Sequence, residues 1–183
     1  MTVTTFTVTY PPRIWPGCLH CYNAGRLVGR WFALEDWEQV SIESIHDARH
    51  PATAWCEEIL CLDTERLPTR GEPDLIQVSR WAEVYAEVGE HDWPAYCAWV
   101  ESAGYAADAD GLPDTGSFRD AYAGHWPDFS DYGWHLIEST DMLGDWPEQA
   151  RSYFDSEKWL GDQRYSHSVE PAPHGGVYVF REC

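Results

Sequence analysis

Hydrophobic positions in the first third of this chain fall in short runs rather than in a helical period. Apolar runs at 13–19, 26–34 and 55–63 are bounded by turn-forming residues, a pattern that favours strands. Asn and Gly within 22–25 tolerate positive φ, so we predict that the first two strands form a hairpin. Together with the third strand and a short helix over 36–43, they predict a small antiparallel sheet.

The helical period begins after 67–73, a stretch with two prolines and one glycine that favours a boundary. Asp74 is placed to cap a helix, and Gly89 is placed to end it. A second helix is predicted after Asp92, with Pro94 in its first turn. The apolar stripe of the first helix recurs every three or four residues, at Leu75, Val78, Trp81, Tyr85 and Val88.

The last third of the chain combines both patterns. Strands are predicted at 165–169 and 176–181, where β-branched and aromatic residues cluster. Asp145 and Glu148 have the spacing of a capping box, with Pro147 in the first turn. Helices are predicted to start at Ser117, to span 131–143 after Ser130, and to span 145–154 and 155–161.

These elements predict an α+β fold of three small domains. After an N-terminal extension over 1–12, which is a loose segment or an added edge strand, we expect an α+β domain over 13–70 with an antiparallel sheet and a short helix. A central helical domain over 71–113 follows. The C-terminal α+β domain over 114–183 carries helices and a short antiparallel sheet.

The net charge of −19 and the pI near 4.5 restrict the partners of this chain. An acidic field attracts basic surfaces, whereas nucleic-acid binding needs Lys and Arg to displace counterions from phosphates. No window of 18 or more apolar residues is present, so no membrane span is predicted. Residues 1–12 lack the basic start and apolar run of a signal peptide, and we expect a cytoplasmic protein.

The negative charge is concentrated between Trp81 and Glu148. This stretch has 15 carboxylates and a single cationic side chain, Arg119, which gives a formal charge of −14 (1 − 15). Interleaved aromatic residues supply the apolar surface that disordered acidic tails lack, so we predict that the stretch folds. The acidic set, as we name these carboxylates, comprises Glu83, Glu87, Glu90, Asp92, Glu101, Asp108, Asp110, Asp114, Asp120, Asp128, Asp131, Glu138, Asp141, Asp145 and Glu148.

The cysteines raise the question of a metal site. Cys18 and Cys21 have CxxC spacing with His20 between them, but the spacing from Cys56 to Cys61 is too wide for a zinc knuckle. Both pairs lie in apolar, strand-like runs. We therefore interpret them as small buried hydrophobic residues and expect no metal. Cys183 is interpreted as an exposed free thiol.

Motifs of enzyme active sites are not found in this sequence. The eight histidines are scattered, and there is no metalloprotease, nucleophile-elbow, phosphate-loop or dinucleotide-binding pattern. Asp108, Asp110 and Asp114 resemble the start of a calcium loop, but the sixth position is not Gly and the twelfth is not Glu. We expect a solvated acidic loop there, no cofactor and no catalytic residue.

Acidic residues three or four positions apart on a helix also suggest a way of binding a partner. Such carboxylates lie roughly 5–6 Å apart, a spacing comparable to that of neighbouring phosphates along a DNA strand. Rows of this kind would compete for the groove of a DNA-binding protein, with salt-sensitive attraction and a steered on-rate.

The sequence resembles the ArdA-type antirestriction proteins from residue 13 onward. Residues 142–155, MLGDWPEQARSYFD, match that family's antirestriction motif at Leu143, Asp145, Pro147, Glu148, Tyr153, Phe154 and Asp155, and Met142 replaces a Leu. The segments 118–124, 175–180 and 18–31 resemble the family's FxxAYxG, GGVYVF and CLxxYNxGxxxGxW patterns. The chain departs from the family pattern at 1–12 and at 67–73.

The resemblance implies an elongated, non-catalytic mimic of B-DNA. Such proteins occupy the DNA-binding groove in the methyltransferase core of type I restriction–modification enzymes, protect incoming mobile DNA in a bacterial cell, and form homodimers through the C-terminal domain. The antirestriction motif, residues 142–155, would lie near the dimer contact. We therefore expect an inhibitor that acts as a decoy. The alternatives are an acidic adaptor for another basic DNA-binding protein and a metal-assisted hydrolase.

Overall fold

The computed structural model describes residues 11–69, 71–102 and 111–182. Helices combine with two three-stranded antiparallel sheets, which confirms the predicted α+β class. The chain divides into two compact units, which we call the first unit (1–93) and the second unit (94–183). The division into three domains stays a prediction. The extension over 1–12 lies outside the described residues except for Pro11 and Pro12.

The first unit is built on a sheet whose strand order is β2-β1-β3. Short helices follow the first two strands, and a long helix follows the third. The elements are β1 (Arg13–Cys18), α1 (Leu19–Asn23), β2 (Phe32–Ala33), a 3₁₀ helix (Leu34–Gln39), α2 (Ile42–Ile45), β3 (Ile59–Glu65) and α3 (Leu75–Val88).

The central strand β1 carries a proline, and the sheet accommodates it with an irregularity. β1 pairs antiparallel with β3 from Arg13 opposite Glu65 to Cys18 opposite Ile59, and the register shifts between Trp15 and Pro16. Since proline has no N–H to donate to a ladder, a bulge at this position keeps β1 in the middle of the sheet. The Arg13 Nη2 atom lies 2.7 Å from Glu65 Oε2 and ties the strand ends together.

The strand predicted over 26–34 is wrong for most of its length. Only Phe32 and Ala33 pair with β1, and an isolated bridge joins Gly17 to Gly29. A Cβ atom on Gly29 would collide with the carbonyl oxygen of Pro16, so this close approach requires glycine. Helix α1 turns the chain out of the sheet between the two strands, and local apolar content does not reveal such a turn.

Two further predictions for the first unit need correction. The strand predicted over 55–63 begins only at Ile59 and runs to Glu65, and Trp55 is exposed. In place of a helix over 36–43 there is the 3₁₀ helix, followed by α2. A reciprocal capping box between Ser41 and Ser44 starts α2 after the chain has turned at Val40.

Helix α3 is predicted correctly at both ends. The Asp74 carboxylate accepts a hydrogen bond from Gln77 N at 2.7 Å, and Gly89, at φ +83°, donates its N–H to Tyr85 O. Trp81 and Tyr85 meet the ring of Trp93 edge to face, at centroid distances of 6.4 and 5.1 Å. Aromatic packing therefore buries the inner face of α3.

The second unit contains a sheet of strand order β4-β6-β5. Its strands β5 and β6 confirm the predicted C-terminal hairpin with small shifts in their ends. The elements from residue 93 onward are α4 (Trp93–Glu101), α5 (Thr115–Ala121), β4 (Tyr122–Trp126), α6 (Phe129–Ser139), α7 (Glu148–Arg151), α8 (Ser156–Gln163), a 3₁₀ helix (Arg164–Ser166), β5 (His167–Pro171) and β6 (Val177–Arg181).

Aromatic rings fill the core of the second unit. The ring of Phe118 stacks on Tyr122 with centroids 5.2 Å apart and planes at 16°, and it also contacts the rings of Tyr96, Trp99 and Phe180. All but Tyr122 are fully buried. The rings come from α4, α5, β4 and β6, so one cluster joins helices to the sheet.

Helix α6 and the segment after it differ from the predictions. Asp128, rather than Ser130, caps α6, and the helix ends at Ser139 because Asp141 takes a turn conformation with φ +49°. Helix α7 has only four residues, and no side chain caps its first turn, so the predicted capping box is wrong. The Asp155 cap predicted for α8 is confirmed. No helix among the described residues is long and apolar enough to cross a membrane.

Candidate partner-binding surface

The acidic set lies on the surface wherever the structure describes it. Asp108 and Asp110 lie outside the described residues, which leaves 13 of the 15 carboxylates. Twelve of these 13 are exposed and Asp92 is half-buried. Among the described residues no charged side chain is buried, so the carboxylates remain in water while the aromatic residues form the cores.

Amphipathic helices produce this separation. On α3, Trp81 and Tyr85 are buried, whereas Glu83 and Glu87 are exposed one turn apart. On α6, the exposed Asp131 and Glu138 are seven positions apart, which places them two turns apart on one face. The helical period that buries the apolar stripe thus also aligns carboxylates in rows on the opposite side.

Two members of the acidic set also hold helices in place. Asp114 caps α5 through the Ser117 N–H, at 2.7 Å, and Asp128 caps α6 through the Asp131 N–H, at 3.0 Å. Hydrogen bonding from the Ser117 N–H lowers the pKa of Asp114. The stability from this bond is therefore present above the ordinary aspartate pKa and is lost as the pH falls through the lowered value. From the sequence, both helices are predicted to start at serines, so the capping roles of these two aspartates are not predicted.

Several cationic side chains of the second unit are used for local contacts. Arg151 donates to the carbonyl oxygens of Gly144 and Trp146, at 2.8 and 3.2 Å, and so closes the turn before α7. The Arg164 guanidinium lies 5.1 Å from the ring centroid of Phe129. By sequence this unit has 16 carboxylates and five Lys or Arg residues, a formal charge of −11 (5 − 16).

The antirestriction motif presents apolar side chains at the surface. Tyr153 is 87% exposed and Trp146 is 42% exposed, whereas Phe154 is half-buried between them and the helix α8. The Phe154 ring lies edge-on to Trp146, with centroids 6.0 Å apart, and it also contacts Trp159 at 6.3 Å. Met142 and Leu143 are half-buried, and Asp145, Pro147, Glu148 and Asp155 are exposed.

One group of potential metal ligands comes together within the described residues. Donor atoms of Cys18, Cys21, His46 and Cys56 all lie within 4.8 Å of one another, and we call these residues the Cys–His cluster. His20 and Cys61, which the sequence places beside these ligands, are not part of the cluster. His20 is exposed, and the thiol of Cys61 donates to Asp63 O at 3.4 Å.

The thiols of this cluster are buried, as predicted from the sequence. Burial and the neighbouring Cys18 thiol raise the pKa of Cys21 to about 11. Hydrogen bonds from the Thr53 hydroxyl and backbone N–H lower the pKa of Cys56 to about 7. These cysteines therefore have different environments, although they lie side by side.

Most of the chain falls within one match to a known family. The family model described as "Antirestriction protein (ArdA)" matches residues 14–178, from β1 to β6. The chain belongs to the ArdA family of antirestriction proteins. ArdA proteins are non-catalytic inhibitors that act against restriction enzymes, and the resemblance drawn from the sequence motifs is confirmed. Among individually curated proteins, none matches the chain at a significant level.

Proposed function

We propose that this ArdA-family chain inhibits restriction as a decoy for DNA. Its acidic set would occupy the DNA-binding groove in the methyltransferase core of a type I restriction–modification enzyme in a bacterial cytoplasm. The observation that carries the proposal is the exposure of 12 of the 13 described carboxylates of this set, on a stretch with a formal charge of −14. No bond is made or broken, and inhibition requires binding alone.

The spacing of these carboxylates supports the proposal physically. Residues one helical turn apart, such as Glu83 and Glu87, present charges roughly 5–6 Å from each other. A groove lined with Lys and Arg for phosphates would accept such rows, and the attraction would steer association. Because the energy is distributed over many exposed charges, each one contributes little by itself.

A displacement titration tests the proposal. A fluorescent DNA duplex is bound to a type I methyltransferase core, the wild-type chain is added, and DNA release is followed by anisotropy. We expect release at a fixed stoichiometric ratio, without divalent metal, and weaker inhibition as salt is raised. An adaptor for another protein would leave the DNA bound, and a hydrolase would act at a substoichiometric dose and need a metal.

Two matched variants separate the position of the charges from their number. Both keep a net charge of −13 (−19 + 6), and all twelve replaced side chains are exposed. The first variant neutralises the proposed surface with Glu83→Gln, Glu90→Gln, Glu101→Gln, Asp120→Asn, Asp131→Asn and Glu138→Gln. The control neutralises other sites with Glu35→Gln, Glu38→Gln, Glu43→Gln, Glu57→Gln, Glu58→Gln and Glu72→Gln.

We expect the first variant to inhibit at least about tenfold more weakly, which a loss of about 0.25 kcal/mol per charge would produce. The control variant should lose less than half as much binding free energy as the first variant. Any single neutralisation should change inhibition less than about twofold. Equal losses in the two variants would show that net charge alone matters. Abolition of binding by one substitution in a folded protein would refute the distributed surface.

We further propose that the antirestriction motif joins two chains into a homodimer. Tyr153 is the most exposed of its aromatic residues, at 87%, and it neighbours Phe154, whose ring contacts Trp146. Exposed apolar groups on an acidic protein favour a covered interface. A dimer would carry a formal charge of −38 (2 × −19) and extend the acidic surface.

Sedimentation velocity tests the dimer with a matched pair of substitutions. Tyr153→Asp should shift the chain to monomer, because it buries a charge in the proposed contact. Tyr165→Asp changes an equally exposed tyrosine, at 85%, outside the motif and should leave the dimer intact. A wild-type chain that sediments as a monomer at micromolar concentration would contradict the proposed dimer.

A further inference from the structure

The Cys–His cluster has the composition of a structural metal site. It brings three thiols and one imidazole together, and its donor atoms are all within 4.8 Å of one another. In a tetrahedral zinc site with Zn–S bonds of about 2.3 Å, the sulfur atoms lie about 3.8 Å apart. The four donors therefore need to move by only about 1 Å or less to reach that geometry.

The histidine of the cluster is oriented as metal-bound histidines are. His46 Nδ1 lies 2.8 Å from the carbonyl oxygen of His50, so this nitrogen carries the proton and donates it. Nε2 is then a lone-pair acceptor, and it is buried with no hydrogen-bond partner among the described residues. A buried acceptor without a donor costs free energy. Metal-ligating histidines commonly donate their second N–H to a carbonyl oxygen, which fixes the tautomer.

Neighbouring groups suit thiolate sulfurs at two of the other positions. The Arg26 Nη2 atom lies 3.8 Å from Cys21 Sγ, and the Thr53 N–H lies 3.4 Å from Cys56 Sγ. Three thiolates around one divalent cation leave a net charge of −1 (2 − 3), and the guanidinium of Arg26 compensates it. Hydrogen bonds to a sulfur favour its charged form.

The path of the chain shows what such a site would do. Residues 46–58 contain neither helix nor strand, and loops of about this length are uncommon in compact domains and usually functional or disordered. His46 stands at the start of this segment and Cys56 near its end, whereas Cys18 ends β1 and Cys21 lies in α1. One ion would thus tie both ends of the loop to the central strand of the sheet.

We propose that Cys18, Cys21, His46 and Cys56 bind one zinc ion as a structural site of the first unit. Four protein ligands complete a tetrahedron and leave no position for water or substrate, so the site is structural rather than catalytic. On binding, the three thiol protons leave to solvent, and nothing is oxidised or reduced. The site is independent of the decoy function, because no member of the acidic set takes part in it.

Metal analysis of the full chain tests the site. The wild-type protein, produced in zinc-containing medium and dialysed, is measured by plasma mass spectrometry and by native mass spectrometry. We expect one zinc per chain, and loss of at least nine-tenths of it in Cys21→Ser and in His46→Gln. Two controls should keep the full content: Cys61→Ser, a buried cysteine outside the cluster, and His20→Gln, the histidine inside the CxxC pair.

A metal-exchange experiment on the wild-type chain covers variants that fail to fold. Zinc is removed with a chelator and cobalt(II) is added, and we expect the visible bands of a tetrahedral site with thiolate-to-cobalt charge transfer at one equivalent. The site is refuted if the wild-type chain holds no zinc and gives an octahedral cobalt spectrum. A mass two hydrogens lower, without metal, would show a disulfide in place of the site. Equal zinc loss in Cys61→Ser would also overturn it.

Discussion

The two three-stranded sheets of this chain share antiparallel pairing but differ in the chemistry of their cores. In the first unit the central strand β1 ends at Cys18, a member of the Cys–His cluster. In the second unit the central strand β6 places Phe180 against the rings of Phe118 and Tyr122. An aromatic side chain buries about 150–250 Å², whereas thiols bury far less. The proposed zinc site would add a cross-link to the first sheet, whereas aromatic packing holds the second sheet to its helices.

The lengths of the strands also differ between the two sheets. All three strands of the second sheet have five residues, whereas β2 of the first has only two and the segment 46–58 has no regular structure. This contrast can be tested by perturbing each sheet separately.

Metal removal should have the largest effect, and only on the first unit. Structural zinc contributes on the order of 10 kcal/mol to the folding of small zinc-finger peptides, so we expect the first sheet to lose more than about 5 kcal/mol. Hydrogen exchange should then accelerate at the amides of β1 and β3 while those of β5 and β6 stay protected. Equal acceleration in both sheets would show that the cores do not differ in this way.

Removal of one ring should have the next largest effect, on the second unit. Phe118 is 3% exposed and contacts four other rings, so Phe118→Ala should lower the free energy of unfolding by about 3–5 kcal/mol. Denaturant unfolding followed by tryptophan fluorescence measures the change. Phe118→Ala should leave the zinc content at one per chain. Tyr165→Ala, at an exposed ring, serves as the control and should change stability by less than about 0.5 kcal/mol.

Two glycine substitutions should act in opposite directions. Gly29→Ala places a Cβ against the backbone oxygen of Pro16, which cannot move aside, and should destabilise the first unit by about 1–3 kcal/mol. Gly161 lies in α8 with open space around it, so Gly161→Ala should stabilise the second unit by about 0.5–1 kcal/mol. Thermal unfolding measures both. A stabilising Gly29→Ala would contradict the close approach of the chain to β1.

The smallest effect separates the charge of Asp128 from its cap. Asp128→Ala removes the acceptor for the Asp131 N–H and should cost about 1 kcal/mol, whereas Asp128→Asn keeps a good cap and should be nearly neutral. Denaturant unfolding compares the two variants. Both lose one charge, so each should inhibit restriction nearly as well as the wild type. If Asp128→Asn weakened inhibition while the stability stayed nearly unchanged, this carboxylate would have a specific role in binding.

Predictions from the sequence succeeded where the signal was local. The Asp74 and Gly89 boundaries of α3 were predicted correctly, because a cap forms between residues only three or four apart. Strand β4 was missed, since Gly124 interrupts a short segment and the pairing with β6 spans more than fifty residues. The strand predicted over 26–34 was wrong because an apolar run alone favours a strand. The run does not reveal that α1 has already led the chain out of the sheet.

The acidic character and the family of this protein follow from the sequence alone. The net charge of −19, the helical period of residues 75–88 and the motif over 142–155 are properties of neighbouring residues, and folding leaves them unchanged. The fold determines which cysteines meet and that His46, rather than His20, joins them. That choice depends on the path of the chain between residues nearly forty positions apart, and spacing along a sequence carries no information about it.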